Sequence, residues 1–166
     1  RAFVGTAGGT ANTNVVTNII LGVNVIGTGY NFSDIRIPSG SLSGFVYVDV
    51  NNNGTRQTGE PGIAGVAMTL TGTDAQGNPV NLTTATLFDG SFTFTGLRNG
   101  SYTLTQTQPL GFAQGITRAG TAGGTVVGDV ISNINLGANV NAVNYLFGEK
   151  GVSFTGQVFN DLNANG

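Results

Sequence analysis

Twelve residues from Asp49 to Glu60, DVNNNGTRQTGE, carry oxygen-bearing side chains at alternating positions. Asp49, Asn51 and Asn53 hold positions 1, 3 and 5, Gly54 holds position 6 and Glu60 closes position 12. This is the spacing of an EF-hand cation loop. Alternate residues of a curling loop aim their oxygens at one centre, and the glycine permits the sharp turn. Thr55 would add its backbone carbonyl, Gln57 would act directly or through water, and Glu60 would close the site with both oxygens. Hard oxygen donors with a flexible six- to eight-fold geometry favour Ca2+ over magnesium. Two carboxylates and two amides imply moderate affinity. The same alternation returns at Asp161, Asn163 and Asn165 in DLNANG. The competing reading is an Asn/Gly-rich turn between strands that binds nothing.

Other chemistries lack their reagents. The 166 residues include no Cys and no His, which removes Ser-His and Cys-His nucleophiles, disulfides and the usual zinc ligands. Asp34, Asp74, Asp89, Asp129 and Glu149 are isolated in sequence, so the chain is not expected to be an enzyme. The net charge is −2, and Arg1, Arg36, Arg56, Arg98, Arg118 and Lys150 are scattered singly. No basic stripe exists to bind nucleic acid or an anionic membrane. No apolar run is long enough to span a bilayer, and no secretion signal is evident within this segment.

The elements that must position the loop read as strands. Good helix formers are scarce, and Thr, Asn and Ser fill the polar positions of alternating runs. Alternation marks strands at 44–50, 65–73, 80–88, 91–97, 101–108, 129–136 and 142–149. About seven strands at regular spacing predict an all-β, Ig-like Greek-key sandwich. Asp89-Gly90 and Asn99-Gly100 are expected as tight hairpin turns, with a third turn at 75–79. The expected core is Val46, Val48, Val66, Met68, Leu70, Phe92, Phe94, Tyr102 and Leu104. For the first strand the pattern leaves open whether Val46/Val48 or Phe45/Tyr47 face inward. The Gly-rich stretch 119–128 lacks the Lys-Ser/Thr of a phosphate loop and reads as a surface loop or irregular edge.

The chain also repeats itself. GTAGGT at Gly5–Thr10 returns at Gly120–Thr125, VVTNIILGVNV (15–25) returns as VISNINLGANV (130–140), and GFVYVDVNNNG (44–54) returns as GQVFNDLNANG (156–166). Order and offset are both kept, so the chain is a window on a tandem array. Residues 1–37 are expected to be the C-terminal part of a preceding repeat, 38–150 one complete repeat, and 151–166 the first strand and cation loop of the next. The two partial repeats need the rest of their domains, supplied by a longer polypeptide or by strand exchange between chains.

The segment from Ser39 to Phe112 resembles the B-type repeats of bacterial serine-aspartate-repeat surface proteins and the related collagen-adhesin B-type domains. The Gly-x-Val/Phe first strand, the D-x-N-x-N-G…GEPG loop, IAGVAMTLTG, DGSFTFTGLRNGSYTL and the closing YLFGE carry the resemblance. It implies a prealbumin-like sandwich, calcium held by Asp49, Asn51, Asn53, Thr55 and Glu60, and domains strung head to tail on the bacterial cell surface. Some relatives form an internal Lys–Asn isopeptide bond from a first-strand lysine. The only lysine here is Lys150, so no such bond is expected. Relatives also suggest a further calcium near the later turns, but Asp74 and Asp89 read more simply as turn aspartates. The function expected is a calcium-stabilised spacer in a secreted stalk, fibre or biofilm filament, partnered by neighbouring repeats. Short junctions such as Glu149–Ser153 leave little slack between repeats. The alternative is an adhesin module whose loops or sheet edge engage host protein, glycan or like chains, with repetition giving avidity.

Overall fold

The computed structural model describes residues 2–12, 15–32 and 39–151. The chain forms two compact units, Arg1–Ile37 and Pro38–Gly166. Among the described residues every regular element is a strand. Asp161, Asn163 and Asn165 lie outside the described residues, as does the expected strand before them.

The first unit is small. β1 (Ala2–Phe3) pairs antiparallel with β4 (Asn31–Phe32), and β2 (Thr10–Asn12) pairs with β3 (Val15–Thr17). The Tyr30 hydroxyl donates to the Gly8 carbonyl at 3.0 Å, and the Thr28 amide donates to the Thr6 hydroxyl at 3.0 Å.

The second unit is an all-β sandwich. Its strands are β5 (Gly40–Val48), β6 (Ala67–Asp74), β7 (Pro79–Ala85), β8 (Ser91–Leu97), β9 (Gly100–Gln106), β10 (Phe112–Arg118), β11 (Thr125–Val127), β12 (Val130–Leu136) and β13 (Asn141–Gly151). One sheet runs β10-β13-β5-β8 and the other β11-β12-β9-β6-β7. All pairings are antiparallel except that of the first and last strands, β5 and β13, which lie parallel at the centre of the four-stranded sheet. Alternating Thr and apolar residues place one side-chain set of each sheet in the space between them. Leu42, Val46, Met68, Leu70, Phe92, Phe94, Tyr102, Leu104, Ile131, Ile134, Tyr145 and Phe147 fill that space.

The structure settles the register of the first strand. Val46 points into the core, whereas Tyr47 is buried on the opposite face beneath the Asp49–Glu60 loop and Phe45 is half-buried. Val48, expected in the core, only packs against its edge. Nine strands replace the expected seven. β10 was hidden because Gln114 and Gly115 interrupt its apolar alternation and a bulge shifts its register between Gln114 and Thr117. β11 lies inside the glycine-rich stretch, where three residues pair with β12. The expected hairpins at Asp89-Gly90 and Asn99-Gly100 are not hairpins. Those turns carry the chain between sheets, from β7 to β8 and from β8 to β9. Of the three expected turns, the one at 75–79 closes a hairpin, with β6 and β7 in continuous register, and an unexpected hairpin joins β11 to β12 across Gly128-Asp129.

Close packing of the two terminal strands requires glycine at position 44, where a Cβ would stand 1.8 Å from the Tyr145 carbonyl oxygen. Gly44→Ala is therefore expected to cost about 3 kcal/mol or more, since backbone cannot yield as a side chain can. Urea unfolding followed by near-ultraviolet circular dichroism measures it.

Candidate metal centre

The loop leaves the end of β5 and starts from a fixed point, because the Asp49 amide donates to the Glu149 carbonyl of β13 at 2.8 Å. The side chain of Asp49 is buried and turns the loop back on itself. Its Oδ1 accepts from the Asn53 amide at 3.0 Å and its Oδ2 from the Gly54 amide at 2.6 Å. Asn52 and Gly54 adopt positive φ, 51° and 72°, which Asn and Gly tolerate best. Glu60, also buried, closes the other end: its Oε1 accepts from the Val50 amide at 3.1 Å and its Oε2 from the Gln57 amide at 2.8 Å. Asn51 donates from Nδ2 to Gln57 Oε1 at 2.9 Å, and Asn53 Oδ1 accepts from the Thr55 amide at 2.8 Å. The structure thus gathers Asp49, Asn51, Asn53, Thr55, Gln57 and Glu60 into one hydrogen-bonded loop.

Three neighbours were not singled out from sequence. Arg118 of β10 donates from Nε to the Gly54 carbonyl at 2.8 Å and from Nη2 to the Asn53 carbonyl at 2.7 Å. Arg56 donates to the Asp89 carbonyl at 3.0 Å and stacks 4.2 Å over the Phe45 ring. Tyr47 lies beneath the loop, fully buried, and its hydroxyl has no hydrogen-bond partner among the described residues. Burial, then the charges of Asp49 and Glu60, push that hydroxyl up to about 12, with Arg118 and Arg56 acting in the opposite sense. No local pattern flags Arg118, since only the β10–β13 pairing brings it across 64 residues to the loop.

These residues fit a hard cation. Every side-chain donor is oxygen, and each carboxylate oxygen keeps a second lone pair beyond its one amide contact. The orphaned Tyr47 hydroxyl beside two buried acids is the polar defect that an ion or its water would relieve. Arg118 leaves the Thr55 carbonyl, the one such a loop uses, untouched, because its contacts are to Asn53 and Gly54. Asp74 and Asp89 are engaged as turn residues. Asp74 accepts from the Gln76 and Asn78 amides, the Asn78 side chain and Arg98; Asp89 accepts from Ser91.

Removing the loop's anchor should expose what it holds. Asp49→Ala strands the Asn53 and Gly54 amides and is expected to cost about 2–4 kcal/mol even without metal, measured by urea unfolding in chelator. A separate effect is expected in acid. The Asn78 side chain, ahead of Asn78 and Gln76 backbone amides and Arg98, holds the Asp74 carboxyl below its ordinary 3.8. Its contribution to stability is therefore complete above pH 3.8 and is lost as pH falls through the lower folded value. Asp74→Asn should flatten the decline of the urea midpoint below pH 3.8, in a series from pH 5 to pH 2.

Residues 40–141 match the family described as the SdrD B-like domain. Serine-aspartate repeat-containing protein F of Staphylococcus epidermidis is 40% identical over 75 residues, 45% of this chain and 4% of that protein. Serine-aspartate repeat-containing protein D of Staphylococcus aureus (strain Newman) is 35% identical over 86 residues, 52% of this chain and 6% of that protein. The chain thus spans a small fraction of these relatives' length. Among solved structures, the full-length major pilin SpaD from Corynebacterium diphtheriae aligns over 71% of this chain and 34% of its own, with a TM-score of 0.44 and 16% identity. With the match covering most of the chain, from the first strand of the sandwich to the start of its last, this chain belongs to the SdrD B-like domain family.

Proposed function

We propose that this chain is a structural repeat of an extracellular bacterial surface stalk, fibre or filament, reinforced by calcium in the Asp49–Glu60 loop. One observation carries the tandem reading: the first unit copies the tail of the sandwich in register at a shift of 115 positions (Gly5 to Gly120). Ala2↔Phe32 and Phe3↔Asn31 correspond to Thr117↔Phe147 and Arg118↔Leu146, and Thr10↔Thr17 to Thr125↔Ser132. The Tyr30–Gly8 bond is matched by Tyr145–Gly123 at 3.1 Å. The left-handed Asn18 and Asn24 are matched by Asn133 and Asn139.

The apolar faces differ as a partial repeat would require. Ile19, Leu21 and Phe32 are 41%, 54% and 61% exposed, whereas their counterparts Ile134, Leu136 and Phe147 are buried. Arg1–Ile37 is accordingly the closing part of another repeat, whose own counterparts of β5 and β9 cover those residues. The parallel pairing of β5 with β13 suits a load-bearing spacer. Tension entering at the start of β5 and leaving at the end of β13 shears every bond between them at once rather than unzipping them singly.

A second reading, an adhesive module, draws on Phe88 and Leu110, which stand 95% and 98% exposed on loops. A surface ligand held there would be lost in Phe88→Ser/Leu110→Ser without a change in melting temperature.

Calcium binding only the folded form stabilises by about 2.7 kcal/mol at a hundred times its dissociation constant. A chelator should therefore lower the melting temperature of the wild type by several degrees and that of Asp49→Ala by clearly less. Equal melting of the wild type with calcium and with chelator would refute reinforcement by the ion.

A further inference from the structure

Behind the loop lies a second polar cluster that the sandwich closes between its sheets. Glu149 of β13 is 1% exposed, and its two oxygens accept from the side-chain amides of Gln106 and Gln108, on and just beyond β9 of the facing sheet. Gln106 is itself 3% exposed, and its Oε1 is buried with no hydrogen-bond partner among the described residues. The Gln106 backbone amide donates to the Asp129 carbonyl at 2.9 Å, which brings in the turn between β11 and β12. The Oδ1 of Asp129 is likewise buried and unpartnered. Gln114 of β10 stands opposite Glu149 in register and reaches the same turn, where its Nε2 lies 3.1 Å from the position a Gly128 Cβ would take.

Among the described residues this cluster has acceptors and negative charge but no positive partner. The one charged neighbour that acts on Glu149 is Asp129, of the same sign, and burial pushes both carboxyls up. The Arg98–Asp74 ion pair belongs to the β6–β7 turn. A buried carboxylate beside a half-buried one of the same sign persists only with a compensating proton or cation. Two orphaned oxygens beside a buried carboxylate favour a cation, because a single proton on Glu149 leaves both Gln106 Oε1 and Asp129 Oδ1 unsatisfied. All the donors are carboxylate or amide oxygen in irregular array, which suits calcium better than magnesium, with its octahedral demand, or the softer transition metals.

We propose that Glu149, Asp129 and the Gln106 side-chain oxygen form a second cation site, separate from the Asp49–Glu60 loop, that takes a divalent calcium ion and clamps β13 of one sheet to β9 and the β11–β12 turn of the other. The inference is independent of the loop ion, and the test separates them. Calcium is titrated calorimetrically into the full chain as wild type, Glu149→Gln, Asp129→Asn and the loop variant Asp49→Asn/Glu60→Gln, each checked for folding by near-ultraviolet circular dichroism. Glu149→Gln and Asp129→Asn should each bind one ion fewer per chain than the wild type, while the loop variant keeps the ion they lose. Glu149→Gln, a neutral near-isostere, should also gain less stability from calcium than the wild type does. Unchanged stoichiometry in both Glu149→Gln and Asp129→Asn would overturn the proposal whatever the loop does. So would a folded loop variant that binds no calcium at the cluster.

Discussion

The structure depends on one pairing, that of its first strand with its last. β5 and β13 run parallel through the middle of a sheet whose other neighbours are antiparallel. Parallel partners cannot be joined by a tight turn, so this pair closes the long loop from β6 to β12 and must repay the entropy of closing it. The contact is tight enough that Gly44 and the Tyr145 backbone exclude a single methyl between them. It also decides where the chemistry sits. The amide of Asp49 ends the ladder on the carbonyl of Glu149, so the surface loop and the inter-sheet cluster share one peptide junction.

From that junction the two polar sites face different ways. On the outside, Asp49 and Glu60 fold the loop around their carboxylates, and Arg118 and Arg56 brace it from β10 and from the loop itself. On the inside, Glu149 spans the gap between the sheets to Gln106 and Gln108. A sandwich is weakest where two sheets separate at an open end, because side chains there lose neighbours on one side. Polar groups that are fully satisfied fix the spacing of the sheets there, and groups that are half satisfied work against it. The state of the cluster therefore bears on the rigidity of the whole module.

The first unit shows which parts of this arrangement are local. It keeps the turns, the left-handed asparagines and the tyrosine-to-glycine bond of the complete repeat although no described strand corresponding to β5 or β9 pairs with it. Those features arise from short-range geometry: Gly and Asn supply positive φ, and a tyrosine 22 residues on reaches a turn carbonyl. Burial of Ile134, Leu136 and Phe147 is not local, since their counterparts Ile19, Leu21 and Phe32 remain exposed.

By itself the sequence determined the all-β class, the tandem period, most strand positions and the composition of the loop. Each of these is written in spacing: alternation for strands, a constant offset for the repeat, oxygens at every second position for Asp49 to Glu60. Only the tertiary structure decided that Asp89-Gly90 and Asn99-Gly100 change sheets rather than close hairpins, that Val46 and not Phe45 faces the core, and that β10 exists at all. The same holds for Arg118 over the loop, Tyr47 beneath it and Glu149 against Gln106. Arg118 and the loop, and Glu149 and Gln106, are separated by tens of residues, and what joins them is the register between strands, a property that no local pattern of side chains encodes.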